Sequence, residues 1–599
     1  MEQTTSHRET TRRGFLAASC VMVASSRALA DRQHEPEQSD RGSDQNTSND
    51  NQPQHTETTG TSATNNDLEI TRQTIAEAEK LAGVEFTDDE RATIIQSIKD
   101  QPAIYKARRE HALANELGPA SVFDPRLPGW SSRYEQSITR RSADEPGPLP
   151  TDERDIAFAP VTQLSRWIES RQLKSEELTD IYLRRLKAHG PELECVITLT
   201  EDLARRQARR ADLEIRAGRY YGPLHGIPWG AKDLFDTSGI RTTWGATPYK
   251  DRIAERDAAV VKRLDDAGAV LVAKTTLGAL AYGDIWYNGR TNNPWNPKQG
   301  SSGSSAGSAA ATAAGLLGFS LGTETLGSIV SPCMRCGTTG LRPTFGRVAR
   351  SGAMALCWSL DKIGPICRTV EDTALVLSAI NGADPDDPWS VDEPLHFDAG
   401  QSINNLTIGY NPEWFESDRA RDIDRRVLET AERLNVKLKE IALPDMPYGA
   451  LLTILMVEAA AAFEHLTLND RDDELVWQSP RAWPNSFRTT WFTPAVEYVQ
   501  AQRLRRDVMH MMHEQFKDID VILAPSYAGN LLLITNNTGH PSLTIRAGFQ
   551  QRETNDGETV RTPHGITLIG RLFDEGTLCN VGMALQRELN VWQQRPPMG

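Results

Sequence analysis

The sequence predicts an α/β fold: a mixed, twisted β-sheet core covered by α-helices on both faces, preceded by a helical extension. Two observations carry this expectation. From about residue 155 onward, amphipathic helical stretches alternate with short apolar runs of strand length, and that alternation builds a sheet layered between helices. Before that point the composition changes twice, from a polar tract to a segment with helical periodicity and then to a proline- and charge-rich stretch. The chain has 599 residues, 39% hydrophobic and 25% charged, enough for a sizeable core. A net charge of −15 with no basic stripe argues against nucleic acid as a bulk partner. No apolar run reaches the roughly 18 residues that span a membrane, and seven cysteines in this length do not make a disulfide scaffold.

In chain order, residues 1–30 read as an export signal. Arg12-Arg13 precedes an uncharged stretch from Phe15 to Ala24, and Ala28-Leu29-Ala30 is a small-x-small cleavage site. This is the twin-arginine pattern, so a folded, periplasmic protein is expected. Residues 31–66 hold Ala63 as their one apolar residue besides proline and read as a disordered polar linker. Residues 67–115 read as a helical hairpin. Ile75, Ala78, Leu81 and Ala82 recur at helical spacing, Thr87 and Glu90 make a capping box, and Ile94, Ile95 and Ile98 form a second stripe. This hairpin is a candidate homodimerisation arm. Residues 116–154, rich in proline and charge, read as a linker, and 155–597 as the catalytic domain. Within it Ser175 is expected to cap a helix carrying Leu178, Ile181, Tyr182 and Leu186. Val196–Leu199, Ile227–Lys232 and Ala269–Ala273 read as strands, and 202–216 and 257–267 as helices.

The chemistry concentrates in 300–330. Gly300-Ser301-Ser302-Gly303-Ser304-Ser305-Ala306-Gly307-Ser308 runs into an alanine-rich helix, followed by Gly322-Thr323-Glu324-Thr325-Leu326-Gly327-Ser328-Ile329. A flexible linker would not sit between core elements, and a phosphate loop would close with Gly-Lys-Ser/Thr. Ser328 follows glycine in a turn where backbone N–H groups can converge, but it lacks the Gly-x-Ser-x-Gly elbow. His225, before Gly226-Ile227-Pro228, reads as structural. Lys232, next to Asp233, gains meaning only in combination. Cys333-Met334-Arg335-Cys336 lacks a second ligand pair for zinc and reads as two small core residues.

That combination resembles the amidase signature family. The resemblance runs through Gly226-Ile227-Pro228, Lys232-Asp233, Asn293-Pro294-Trp295-Asn296-Pro297, the Gly/Ser segment 302–308 and Gly327-Ser328-Ile329. It continues through Gly340-Leu341-Arg342-Pro343-Thr344, Gly364-Pro365 and Thr369-Val370-Glu371-Asp372. It implies a Ser–cis-Ser–Lys triad with Ser328 as nucleophile, Ser304 as the bridging serine and Lys232 as base. It further implies an oxyanion hole from the N–H groups of Thr325, Leu326, Gly327 and Ser328. Neither a metal nor an organic cofactor is implied; the expected partner is a small-molecule amide, with no integral membrane association. The chain departs from the family segment in three places. Glu324 stands for aspartate and Val330 for arginine, so the ion pair bracing the loop is expected to be missing, with Arg335 a candidate replacement. Leu326 stands for glycine beside the nucleophile, and it either strains a left-handed position or narrows the acyl pocket. Residues 450–500 are expected to line that pocket. Three functions fit: an exported amidase, the glutaminase subunit of a tRNA-dependent amidotransferase, and a non-catalytic exported binding protein on the same fold.

Overall fold

The computed structural model describes residues 69–418, 420–553 and 557–598. The expected signal and polar linker lie outside the described residues. Two compact units divide the described chain, the first ending at Ala114 and the second beginning at Asn115.

The first unit is a pair of helices, α1 (Arg72–Ala82) and α2 (Asp88–Arg109). Local chemistry sets both starts. Thr71 and Thr74 cap α1 reciprocally. Thr87 Oγ1 accepts the Glu90 N–H at 3.3 Å while Glu90 Oε2 accepts the Thr87 N–H at 2.7 Å. Gly83 closes α1 at φ 68°. Arg91 joins the two helices through a forked pair with Glu79, at 2.9 and 2.7 Å.

The second unit is built on one eleven-stranded mixed sheet. In chain order its strands are β1 (Val196–Leu199), β2 (Pro228–Lys232), β3 (Val270–Thr275), β4 (Phe319–Glu324), β5 (Thr339–Arg342) and β6 (Lys362–Cys367). They continue with β7 (Thr407–Tyr410), β8 (Lys437–Glu440), β9 (Val521–Pro525), β10 (Ser542–Glu553) and β11 (Thr559–Gly570). Across the sheet the order is β8-β7-β9-β11-β10-β5-β6-β4-β2-β3-β1. Strands β3, β2 and β4 run parallel, β6 is antiparallel to β4, and β10 and β11 form a long hairpin. Every residue of β2, β3, β4 and β6 is buried, as two-sided helical cover demands.

The structure corrects two of the expectations. Residues 116–154 are not a mere linker. Ile138–Arg140 pairs in parallel with His396–Asp398, and Arg133 and Tyr134 both reach the buried Asp574 carboxylate, at 2.5 and 2.9 Å. Arg126 and Trp130 converge on Glu393. The charges and aromatics that look solvated in a proline-rich tract are docking groups with buried partners elsewhere in the chain. Ser175 is not an N-cap either. It lies inside helix α3 (Ser175–Leu193) and donates to Gly226 O at 2.8 Å. The first-turn amides of Ser175 and Glu176, which have no acceptor within the helix, are instead taken by Asp212, at 2.8 and 3.0 Å, from a neighbouring helix.

Candidate active site

Lys232 is the last residue of β2, and Glu324 the last residue of the adjacent parallel strand β4. Side chains at the carboxyl ends of neighbouring parallel strands point into one crevice, the usual place for a site in such a sheet. The Gly/Ser segment enters the same crevice and then forms helix α4 (Ala306–Ala313), which its alanines favour and whose residues are all buried.

Lys232 is fully buried. Its Nζ lies 2.8 Å from Ser304 Oγ, 2.8 Å from Thr323 Oγ1 and 3.2 Å from Ser305 Oγ. The Gly303–Ser304 peptide bond is cis. Burial dominates the lysine and pulls its pKa down to about 7, against the opposing influence of Asp361 and Glu324. A neutral amine has two hydrogens and one lone pair, so it can donate to Thr323 and Ser305 while accepting the hydroxyl proton of Ser304.

Ser305 ties the segments together. Its Oγ accepts the Thr323 N–H and donates to Thr323 O, both at 3.1 Å, and its own N–H donates to Ser328 O at 3.1 Å. Gly322 makes this approach possible, since a Cβ there would sit 2.6 Å from Ser305 Oγ. Ser328 is therefore held beside the Ser304-Ser305 pair, half-buried in the turn between β4 and the helix α5 (Val330–Cys336). Gly327 takes φ 90° in that turn. Among the described residues the N–H groups of Thr325, Leu326, Gly327 and Ser328 have no acceptor. Four free amides in succession can receive a developing negative charge.

The turn is braced, contrary to the expectation of a missing ion pair. Glu324 Oε1 meets Arg342 Nη1 at 2.7 Å with both side chains fully buried. Its Oε2 accepts the N–H groups of Ile329 and Val330 at 2.8 and 2.9 Å. Burial alone would raise this carboxyl, but Arg342 and those amides outweigh it and bring it to about 2. The guanidinium is Arg342 rather than Arg335. Position 330 contributes its backbone instead of a side chain, and the longer glutamate reaches across β6 to β5 for its partner. Thr325 Oγ1 donates to Asp361 Oδ1 at 2.5 Å and holds the other side of the turn.

Leu326 does not occupy a left-handed conformation, so the strained alternative falls away. Its half-buried side chain packs against Leu360, Cys357 and Leu455, forming an apolar wall next to Ser328. Leu455 belongs to helix α6 (Leu452–Ala462), within the stretch expected to line the pocket. The tryptophan-rich part of that stretch divides: Trp483 is core, stacked on Phe487 with its Nε1 on Leu280 O at 2.9 Å, while Trp491 is 39% exposed. His225 is buried, with Nε2 on Glu214 and Nδ1 accepting the Tyr221 N–H, a structural role. Cys333 and Cys336 are buried free thiols, each with its pKa raised by burial, and Asp233 pairs with Lys274 rather than with Lys232. No metal-binding group of His, Cys, Asp and Glu occurs among the described residues. Arg342, Asp361 and Ser305 are supporting residues whose roles the motifs alone do not reveal. Arg342 lies inside a family motif, but its pairing depends on antiparallel strand neighbours.

The family pattern described as Amidase matches residues 177–534. A glutamyl-tRNA(Gln) amidotransferase subunit from Pseudomonas syringae pv. syringae is 35% identical over 493 residues, covering 73% of this chain and 99% of that protein. An amidase of Pseudomonas putida is 33% identical over 471 residues, covering 73% of this chain and 97% of that protein. The native peptide amidase of Stenotrophomonas maltophilia superimposes with a TM-score of 0.62 at 27% identity, covering 74% of this chain and 98% of that one.

Proposed function

The chain belongs to the amidase signature family of amidohydrolases, and from that premise we propose that it hydrolyses the C–N bond of a carboxylic amide through an acyl-enzyme on Ser328. The observation that carries this reading is the buried amine of Lys232, 2.8 Å from Ser304 Oγ, whose pKa burial brings down to about 7. Neutral Lys232 takes the Ser304 proton as Ser304 takes that of Ser328, and the Ser328 oxygen attacks the amide carbonyl. The carbonyl oxygen becomes an oxyanion facing the free N–H groups of Thr325 to Ser328, each such donor worth about 3–4 kcal/mol. Ser304 then returns the proton to the departing nitrogen, so the leaving group is ammonia or an amine rather than an amide anion. Water, deprotonated by the same relay, releases the carboxylate and regenerates the serine. The relay needs no cofactor.

A fluorophosphonate probe tests the nucleophile. Wild type is expected to be labelled at Ser328 and Ser328→Ala to be blank; labelling that persists in the variant rejects Ser328. Screening an amide library with the purified chain, with Lys232→Ala as control, tests the reaction and names the acyl group. The near full-length match to an amidotransferase subunit supports a second reading, a glutaminase that works inside a tRNA-dependent complex. Amide hydrolysis by the purified chain alone favours the first reading. Activity that appears only with partner subunits and tRNA favours the second. The paired arginines and the Ala28-Leu29-Ala30 site support export to the periplasm. Cell fractionation tests that, and enzyme confined to the cytoplasm rejects it.

A further inference from the structure

The second unit holds a cavity of about 590 Å³ that none of Lys232, Ser304 or Ser328 lines. Four arginines face it: Arg154, Arg368, Arg546 and Arg595. Its one carboxylate is Asp155, which pairs with Arg595 at 2.7 Å. Among the described residues, no carboxylate lies within ion-pair distance of Arg154, Arg368 or Arg546. Their guanidiniums are spent partly on neutral oxygens: Arg154 on Met598 O at 3.1 Å; Arg368 on Leu317 O and Ala159 O at 2.7 Å, Thr312 O at 3.3 Å and the Tyr182 hydroxyl at 3.4 Å; Arg546 on Gln594 O at 2.9 Å and on Trp592 O. The Nε of each is buried and has no hydrogen-bond partner. Arg368 and Arg546 are only 8% and 7% exposed. Arg561 adds to the crowding of positive charge around Arg546, whose pKa falls to about 9 through burial first and Arg561 second.

Guanidiniums removed from water without counter-charges are costly, and carbonyl dipoles offset only part of that cost. The local excess of positive charge runs against a chain whose net charge is −15. The groups are also held in place: Arg546 lies 5.3 Å over the Trp295 ring and Arg595 lies 4.9 Å over Phe158. A bare inorganic ion would leave most of such a volume empty, whereas a small organic molecule fits it.

We propose that this cavity is a binding site, separate from the catalytic crevice, for a small organic oxyanion: a carboxylate or a phosphate ester seated among Arg154, Arg368, Arg546 and Arg595. Isothermal titration of the full chain with benzoate and with phenyl phosphate tests it, with benzyl alcohol as the uncharged control. At least one anion is expected to bind with one-to-one stoichiometry, more weakly as salt rises. Whichever binds tighter identifies carboxylate or phosphate as the source. Arg154→Gln and Arg595→Gln change half-exposed side chains, and each is expected to weaken binding about tenfold. Asp155→Asn removes the only lining carboxylate and is expected to tighten it. The proposal is overturned if neither anion binds, if benzyl alcohol binds as well as the anions, or if binding is indifferent to all three substitutions.

Discussion

Lys232 and Lys274 lie on adjacent parallel strands, one register step apart, and both are fully buried. Their surroundings differ. Lys274 meets Asp233 Oδ1 at 3.0 Å and donates to Thr242 Oγ1 at 2.7 Å. Lys232 meets hydroxyls and a carbonyl, with its carboxylates, Asp361 and Glu324, acting only from a distance. Burial lowers both amines, but Asp233 opposes it at contact for Lys274. The same residue type at the same depth thus serves two ends. Next to a carboxylate the lysine is half of a structural ion pair. Among neutral oxygens it has a hydroxyl in reach, at 2.8 Å, and is the base in the relay we propose.

A pair of substitutions separates the two lysines most strongly. Lys232→Met is expected to lower kcat/KM by about 10²–10⁴-fold, the usual worth of a positioned general base, while leaving the thermal midpoint near wild type. Equal activity in Lys232→Met would mean that the amine is not the base. Lys274→Met should do the reverse. It strands the buried Asp233 carboxylate and costs about 3–5 kcal/mol of stability by chemical denaturation, while kcat of the folded protein stays unchanged. A stable Lys274→Met would show that the pair is dispensable. A pH profile separates them further. Because only the neutral amine accepts a proton, kcat/KM should rise with pH through an apparent pKa of about 7, where Lys232 loses its charge. A profile that stays flat from about pH 5 to about pH 9 would reassign the base. The smallest effect is expected at Leu326. Leu326→Gly opens the wall beside Ser328 and should shift kcat/KM toward bulkier acyl groups by about tenfold, read from competition between a short and a branched amide. An unchanged preference would place the acyl group elsewhere.

Local chemistry is legible in the sequence. The Thr87–Glu90 capping box, the strand ending at Lys232 and the serine turn after Gly327 are set by neighbours within a few residues, and they stand where their spacing puts them. Legibility ends where a partner comes from far along the chain. Ser175 has the chemistry of a cap, but Asp212 supplies the acceptor. Val330 stands where a family arginine is expected, but Arg342 supplies the charge. The arm 116–154 has a solvated composition, but Glu393 and Asp574 receive it.

Periodicity and ordered motifs are written in neighbouring residues. They are enough to establish the sheet-and-helix architecture and the family, and to nominate the hydroxyls and the amine we propose as reacting groups. Folding in three dimensions was needed to set the amine at 232 among neutral oxygens and the one at 274 against a carboxylate. It was needed, too, for the glutamate before the Ser328 turn to find its guanidinium on a strand two places across the sheet. Proton affinity is set by what surrounds a group in space, and those surroundings are assembled from segments that lie far apart along the chain.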